Sequence, residues 1–377
     1  MKRRPGRLRP DRCHAVGGLQ CQSKTARKKA SFNVTDETRH LLTPPAAQRA
    51  AYSDRTAWLM CQLSALAYVP FEDGEMEHLE TELRKGGFRL LATFNATMTR
   101  FATLSAEERR ALKEEAKTDT QAILVESDDR TVLAFRGSEA NTTDWFATDA
   151  DARFAELADD DKDGKPDRLH QGFFESYLAV RHDVVRAIRE KSTKELPLFI
   201  TGHSLGGALA TVAAVELEAE LKSERPIAAV YTFGSPRVGN PEWAEDLKVP
   251  VYRVVNGHDV VAMVPFSGFT GNALARIGLG WLVDFLRKRS KGYIGYQHVG
   301  DMRYLTRDGQ VKMGSDATIT RLMAVTLDLV RVVLRLSWKG ITGQLMSFGT
   351  DHFIENYNDK LEKWALKRNA ARTNDVR

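Results

Sequence analysis

One serine in this chain stands in a setting that suits nucleophilic chemistry. Gly202-His203-Ser204-Leu205-Gly206 follows a short apolar run, Pro197–Thr201, and opens a small-residue stretch, ALATVAAVELEAEL. Read as strand, sharp turn and helix, this pattern forces Ser204 into a strained conformation, and the flanking glycines let strand and helix pass closely. The turn lifts the hydroxyl above the sheet and sets it at a helix N-terminus, where developing negative charge is favoured. A bare G-x-S-x-G also arises by chance in glycine-rich loops. The strand before it, the helix after it, and Gly207-Ala208 continuing the close packing favour an activated serine.

A serine hydroxyl attacks a carbonyl only when a base removes its proton, and the base needs an acid to hold its tautomer. With the nucleophile on such an elbow, the acid and then the histidine follow it in the chain. Of the carboxylates after Ser204, Asp259 is the best candidate. It lies just beyond the strand-like run VYRVV and the turn Asn256-Gly257-His258, and functional side chains of parallel sheets collect at such carboxyl ends. A turn-capping aspartate is the plainer alternative. Chain order also sorts the nine histidines. His203 and His258 adjoin Ser204 and Asp259 and read as structural. Only His298 and His352 follow Asp259. His298 lies in a strand-like segment, whereas His352 lies in a loop entering an amphipathic helix, the kind of setting from which a side chain can reach across to the serine.

The elements around these residues alternate. Residues 54–69 have helical apolar spacing behind a cap at Ser53 or Asp54. Gln121–Glu126 and Thr131–Phe135 read as an antiparallel hairpin, and His170–Ser192 as a helix. Ile227–Phe233 and Val251–Val255 are further strands. This alternation predicts an α/β protein with a mainly parallel sheet covered by helices on both faces. Beyond Pro265 the pattern changes. Residues 274–289 and 318–340 are apolar and helical, and Tyr296–Leu305 with Gln310–Met313 reads as a hairpin around Asp308-Gly309. All three look like insertions near the C-terminal end.

TGHSLGGALA, preceded by FRGS at 135–138 and followed by FGSPRVGN at 233–240, resembles the class 3 lipase family, which includes the fungal triacylglycerol lipases. The resemblance runs from about residue 54 to about 360. It implies the α/β-hydrolase fold and agrees with Asp259, in NGHDVVAMVP, as the acid. It also implies His352 as the base, because Asp351-His352 with Tyr357 matches the family's D-H-x-x-x-x-Y segment. For the oxyanion, the elbow itself offers the Leu205 backbone N–H, and the family's F-R-G-[ST] motif points to the Ser138 backbone N–H. Asp144-Trp145 with Asp149 matches a further family stretch that fixes this loop, and Arg136 reads as structural. The resemblance implies a lipid ester substrate, most naturally an acylglycerol, cleaved through an acyl-enzyme without a cofactor. Phospholipase, thioesterase or soluble carboxylesterase activity would use the same machinery. A catalytically silent binding scaffold is a different alternative, against which the intact triad argues.

Charge and composition bound the rest. Residues 1–40 hold eleven Lys/Arg against three Asp/Glu, while the whole chain is only +5. The folded body is therefore net negative, and nucleic-acid binding by it is not expected. Residues 1–45 read as a basic, disordered extension and 46–377 as the hydrolase domain. A basic start without an apolar run behind it is not a signal peptide, and no stretch reads as a transmembrane helix. Three cysteines give no disulfide framework. Together these suggest a cytoplasmic or peripherally membrane-associated protein; they say nothing about oligomeric state. Asp159, Asp161, Asp163, Gly164 and Asp167 spell an acidic loop with partial calcium-loop spacing. His170 stands where the bidentate glutamate would be, so a solvated turn is expected and no metal site. The apolar 319–338 stretch, with Arg321, Asp328, Arg331 and Arg335 near one face, suits a core helix, a lid or a lipid-surface contact.

Overall fold

A computed structural model describes residues 30–42, 51–71, 74–96, 120–137, 154–156, 167–221, 224–245, 247–259, 261–263, 296–316, 318 and 350–374. Its centre is an eight-stranded sheet in the order β1-β2-β3-β6-β7-β8-β9-β10. These strands are β1 (Arg89–Asn95), β2 (Gln121–Glu126), β3 (Thr131–Phe135), β6 (Leu198–His203), β7 (Ile227–Phe233), β8 (Val251–Asn256), β9 (Asp301–Leu305) and β10 (Val311–Met313). The short pair β4 (Phe154–Glu156) and β5 (Arg168–His170) forms a separate antiparallel ribbon. The chain enters the sheet through the antiparallel set β1-β2-β3. From β3 to β9 every pairing is parallel, and β10 closes the far edge antiparallel to β9.

The helices are α1 (Asp54–Leu66), α2 (Glu75–Lys85), α3 (Gln171–Lys191), α4 (Leu205–Leu221), α5 (Pro241–Glu245) and α6 (Ile354–Asn374). Alternate residues of the central strands feed two separate cores. Ile123, Val125, Val132, Ala134, Phe233 and Val254 pack with α1, α2 and α6. Ala122, Leu124, Leu133, Phe135, Ile200 and Val230 pack with α3 and α4 on the other face. A sheet covered on both sides needs apolar residues at every position, and β2, β3 and β6 are buried throughout. This is the expected α/β-hydrolase arrangement.

Two expectations change. The 296–313 hairpin is not an insertion, because β9 pairs in parallel with β8 from Tyr252↔Asp301 to Asn256↔Leu305 and extends the main sheet. Part of the segment expected to be a disordered extension, residues 30–42, packs on the body. Phe32 and Leu41 are 4% and 2% exposed within the α1–α2–α6 core. The Phe32 ring meets Trp58 edge-on and stacks on Phe88, and its backbone N–H donates to the buried Glu82 carboxylate at 2.9 Å. Average composition hid this strap, since two apolar anchors in a polar run barely change the mean. Phe32→Ala is expected to lower the unfolding free energy by about 3 kcal/mol, as for other buried aromatic truncations. Urea unfolding measures it, and a change below about 0.5 kcal/mol would mean that the strap contributes little. The two apolar stretches, 274–289 and 318–340, lie outside the described residues apart from position 318.

Candidate active site

Ser204 sits between the end of β6 and the start of α4. Its φ is 57°, the only positive value among the described non-glycine residues. The left-handed conformation costs roughly 1–2 kcal/mol for a residue with a Cβ, and the surroundings hold it in place. The Ser204 N–H donates to the Phe233 carbonyl, and the Gly207 N–H donates to the Ser204 carbonyl, each at 2.9 Å. A Cβ on Gly202 would overlap the Gly206 carbonyl, and one on Gly206 would overlap the carbonyl of Phe135. Both elbow glycines are therefore sterically required. Buried Gly206, Gly207, Ala208, Ala210 and Ala213 let α4 lie close against the sheet.

Asp259 follows β8 and its turn, and it is fully buried. One carboxylate oxygen accepts the Val261 N–H at 2.9 Å. The other accepts from His352 Nδ1 at 2.9 Å and from the Tyr357 hydroxyl at 2.5 Å. Burial pushes the Asp259 carboxyl up, but the His352 charge and these hydrogen bonds outweigh burial and hold it below the usual carboxylate range. Because a carboxylate only accepts, Nδ1 of His352 carries the hydrogen. The lone pair of Nε2 then faces Ser204 Oγ at 2.9 Å. The three residues form one continuous hydrogen-bonded chain with the imidazole oriented as a base. His352, not His298, lies between the serine and the aspartate, and His298 Nε2 donates to the Ala262 carbonyl at 2.8 Å.

His352 belongs to a turn immediately before α6, and that turn is stitched to the Asp259 loop. The side-chain amide of Asn256 donates to the Asp351 carbonyl at 2.9 Å, and the His258 N–H donates to the Asp351 carboxylate at 2.8 Å. The Tyr357 hydroxyl also accepts the Asn256 N–H at 3.0 Å. Burial raises the Asp351 carboxyl, and the hydrogen bonds from His258 more than reverse this. Gly234, at φ 58°, brings the 233–240 motif against the pair: a Cβ there would press on Asp259 Oδ2 and the His352 ring. The sequence singled out Tyr357 through its motif but gave no sign of the tethering role of Asp351.

The proposed oxyanion donors fare differently. Leu205 is the first residue of α4, so its N–H has no acceptor within the helix and stands directly beside Ser204. Ser138 lies outside the described residues, as do Asp144, Trp145, Asp149 and the acidic loop before Asp167. The strand that leads to Ser138 does approach the nucleophile. A Cβ on Gly137 would come to 3.1 Å from Ser204 Cβ. Arg136 bonds the Gln121 side-chain carbonyl, a structural role. Among the described residues no group of His, Cys, Asp and Glu is arranged to hold a metal.

Residues 132–269 match the family model described as Lipase (class 3). The chain is 34% identical over 160 residues to a lipase of Rhizopus niveus, covering 40% of this chain and 39% of the relative. It is 35% identical over 138 residues to secreted mono- and diacylglycerol lipase A of Penicillium cyclopium, covering 36% and 42% of the two chains. A chloroplastic phospholipase A(1) of Arabidopsis thaliana is 39% identical over 89 residues, covering 23% and 20%. The chain thus spans about two fifths of the length of the first curated relatives it matches.

Proposed function

We propose, on the match of residues 132–269 to the class 3 lipase model, that the chain hydrolyses carboxylic esters of lipids, with acylglycerols as the preferred class. The observation that carries this reading is the chain of two 2.9 Å hydrogen bonds joining Ser204 Oγ, His352 and the fully buried Asp259.

In this mechanism His352 Nε2 takes the Ser204 proton as Oγ attacks the ester carbonyl. The carbonyl oxygen becomes an oxyanion, stabilised by the Leu205 N–H at the start of α4, with the helix dipole behind it, and, in this reading, by the N–H of Ser138. Asp259 stays ionised and stabilises the imidazolium. His352 then gives the proton to the leaving alcohol, which departs as the acyl–Ser204 ester forms. Water, deprotonated by the same Nε2, attacks the acyl-enzyme; the intermediate collapses to the free acid as the His352 imidazolium gives its proton to the departing Ser204 Oγ. Oxyanion-hole donors of this kind contribute roughly 10²- to 10³-fold each in rate.

Peripheral contact with a lipid surface is part of the proposal. Phe353, directly after His352, is half exposed, an apolar side chain open to solvent. No helix among the described residues is long and apolar enough to cross a membrane. A panel of p-nitrophenyl esters of increasing chain length, monoacyl- and diacylglycerol, triacylglycerol and phosphatidylcholine tests the reading. Release of fatty acid from acylglycerols in preference to phosphatidylcholine supports it. Phosphatidylcholine as the better substrate would make the protein a phospholipase, the activity named for the Arabidopsis relative. Hydrolysis of none of these would overturn the proposal.

A further inference from the structure

His203 is the last residue of β6 and the covalent neighbour of Ser204, and it is 5% exposed. Its two ring nitrogens face different partners. The backbone carbonyl oxygen of His352 is 2.7 Å from Nε2, and the Tyr68 hydroxyl is 2.8 Å from Nδ1. A carbonyl only accepts, so Nε2 carries the hydrogen and donates it. In the neutral ring Nδ1 is then a lone pair, and it accepts the Tyr68 O–H. One tautomer satisfies both contacts. The rings of His203 and His352 lie 4.7 Å apart and 33° from parallel. Tyr68 follows the end of α1, and its hydroxyl occupies the space that a Cβ on Gly137 would need. The end of α1, the approach to Ser138, the residue before the nucleophile and the backbone of the base therefore meet at one imidazole.

We infer that His203 is a positioning residue: its Nε2–H, held in that tautomer by the Tyr68 hydroxyl, anchors the His352 backbone to the residue before Ser204 and so fixes the distance between Nε2 of the base and the serine oxygen. Asp351 and Tyr357 tie the base to the acid, and His203 ties it to the nucleophile. The inference rests on the triad reading above.

In the neutral ring Nδ1 accepts the Tyr68 O–H; a protonated ring would still donate from Nε2 but would set a second positive charge beside the His352 imidazolium. Burial, followed by the charge of His352, pushes the His203 pKa down to about 3. Asp259 and the hydrogen bond to the His352 carbonyl act in the opposite direction and do not prevail. The edge of the Tyr357 ring closes another side. His203 therefore stays neutral when His352 becomes an imidazolium, and it does not compete for the proton taken from Ser204.

Steady-state kinetics on soluble p-nitrophenyl butyrate with the full chain test this. His203→Leu removes the donor and keeps an apolar side chain. It is expected to lower kcat about tenfold or more, with KM within about twofold, because the loss falls on base alignment rather than substrate binding. His203→Gln puts an amide N–H near the position of Nε2–H and is expected to retain the rate within about threefold. Tyr68→Phe, which removes one oxygen, is expected to lower kcat by an intermediate factor. The Tyr68→Phe/His203→Leu double variant should be no worse than His203→Leu alone, since both act through the same contact. Equal losses for Gln and Leu, or a rise in KM at unchanged kcat, would overturn the inference. If His203→Leu does not fold, Tyr68→Phe decides alone: lowered kcat at unchanged KM supports it, and wild-type kinetics overturn it. Ser204→Ala is read separately, since activity surviving in that variant would defeat the triad reading rather than this one.

Discussion

Ser204→Ala is expected to lower kcat on a soluble ester by about 10⁴-fold or more, the scale lost when a triad nucleophile is removed. The fold should survive. Alanine accepts the left-handed backbone at position 204 no worse than serine does, and the two bonds that hold the elbow are made by the backbone, not by the hydroxyl. The urea unfolding midpoint should therefore stay close to wild type while turnover disappears. The deletion also removes the partner of His352 Nε2, a nitrogen that can instead take a water. A variant that kept more than about a tenth of the wild-type rate would mean that another group carries out the attack.

His352→Ala should be nearly as damaging, and the double variant with Ser204→Ala should lose little more than either alone, because nucleophile and base act as a unit. A second effect separates the two changes. Without the imidazole, Asp259 keeps its Val261 and Tyr357 donors but loses the partner on Nδ1. A fully buried carboxylate that loses a donor is expected to cost about 1–3 kcal/mol of stability, which Ser204→Ala does not. His298→Ala is the control. It removes the bond to the Ala262 carbonyl, away from the Ser204–His352–Asp259 chain, and should leave most of the activity in place. Kinetics and urea unfolding on the three variants check both claims. If His298→Ala were the inactive variant and His352→Ala the active one, the base would be misassigned.

The parts of this molecule that were legible in its sequence are those whose constraints are local. The elbow is local: Gly202 and Gly206 are needed because strand and helix collide within five residues, so the motif and the collision share one window. The β2–β3 hairpin and the cap at Ser53, which accepts the Thr56 N–H, are local as well. Asp259 could be found from the end of its strand, and His352 from chain order, its loop setting and its motif. What escaped is carried by partners far apart in the chain. Nothing near Tyr68 points to His203, 135 positions away, and nothing near Asp351 points to the His258 amide. The strap at 30–42 was hidden for a similar reason, since Phe32 is apolar in a polar run and its pocket is built from Trp58, Phe88 and Glu82. The 296–313 hairpin was visible as a hairpin, but its neighbour β8 is set by long-range pairing that periodicity does not report.

The central claim is that Ser204 is an activated nucleophile, made so by His352 and Asp259. A fluorophosphonate reacts covalently with such a serine and leaves an ordinary hydroxyl unlabelled. Intact-mass measurement after brief exposure at neutral pH, followed by peptide mapping, tests the claim most directly. The account predicts one adduct per chain, on the peptide carrying Gly202-His203-Ser204-Leu205-Gly206, and its loss in both Ser204→Ala and His352→Ala. A folded wild-type protein that takes up no label, or takes it up at a residue other than Ser204, would contradict it.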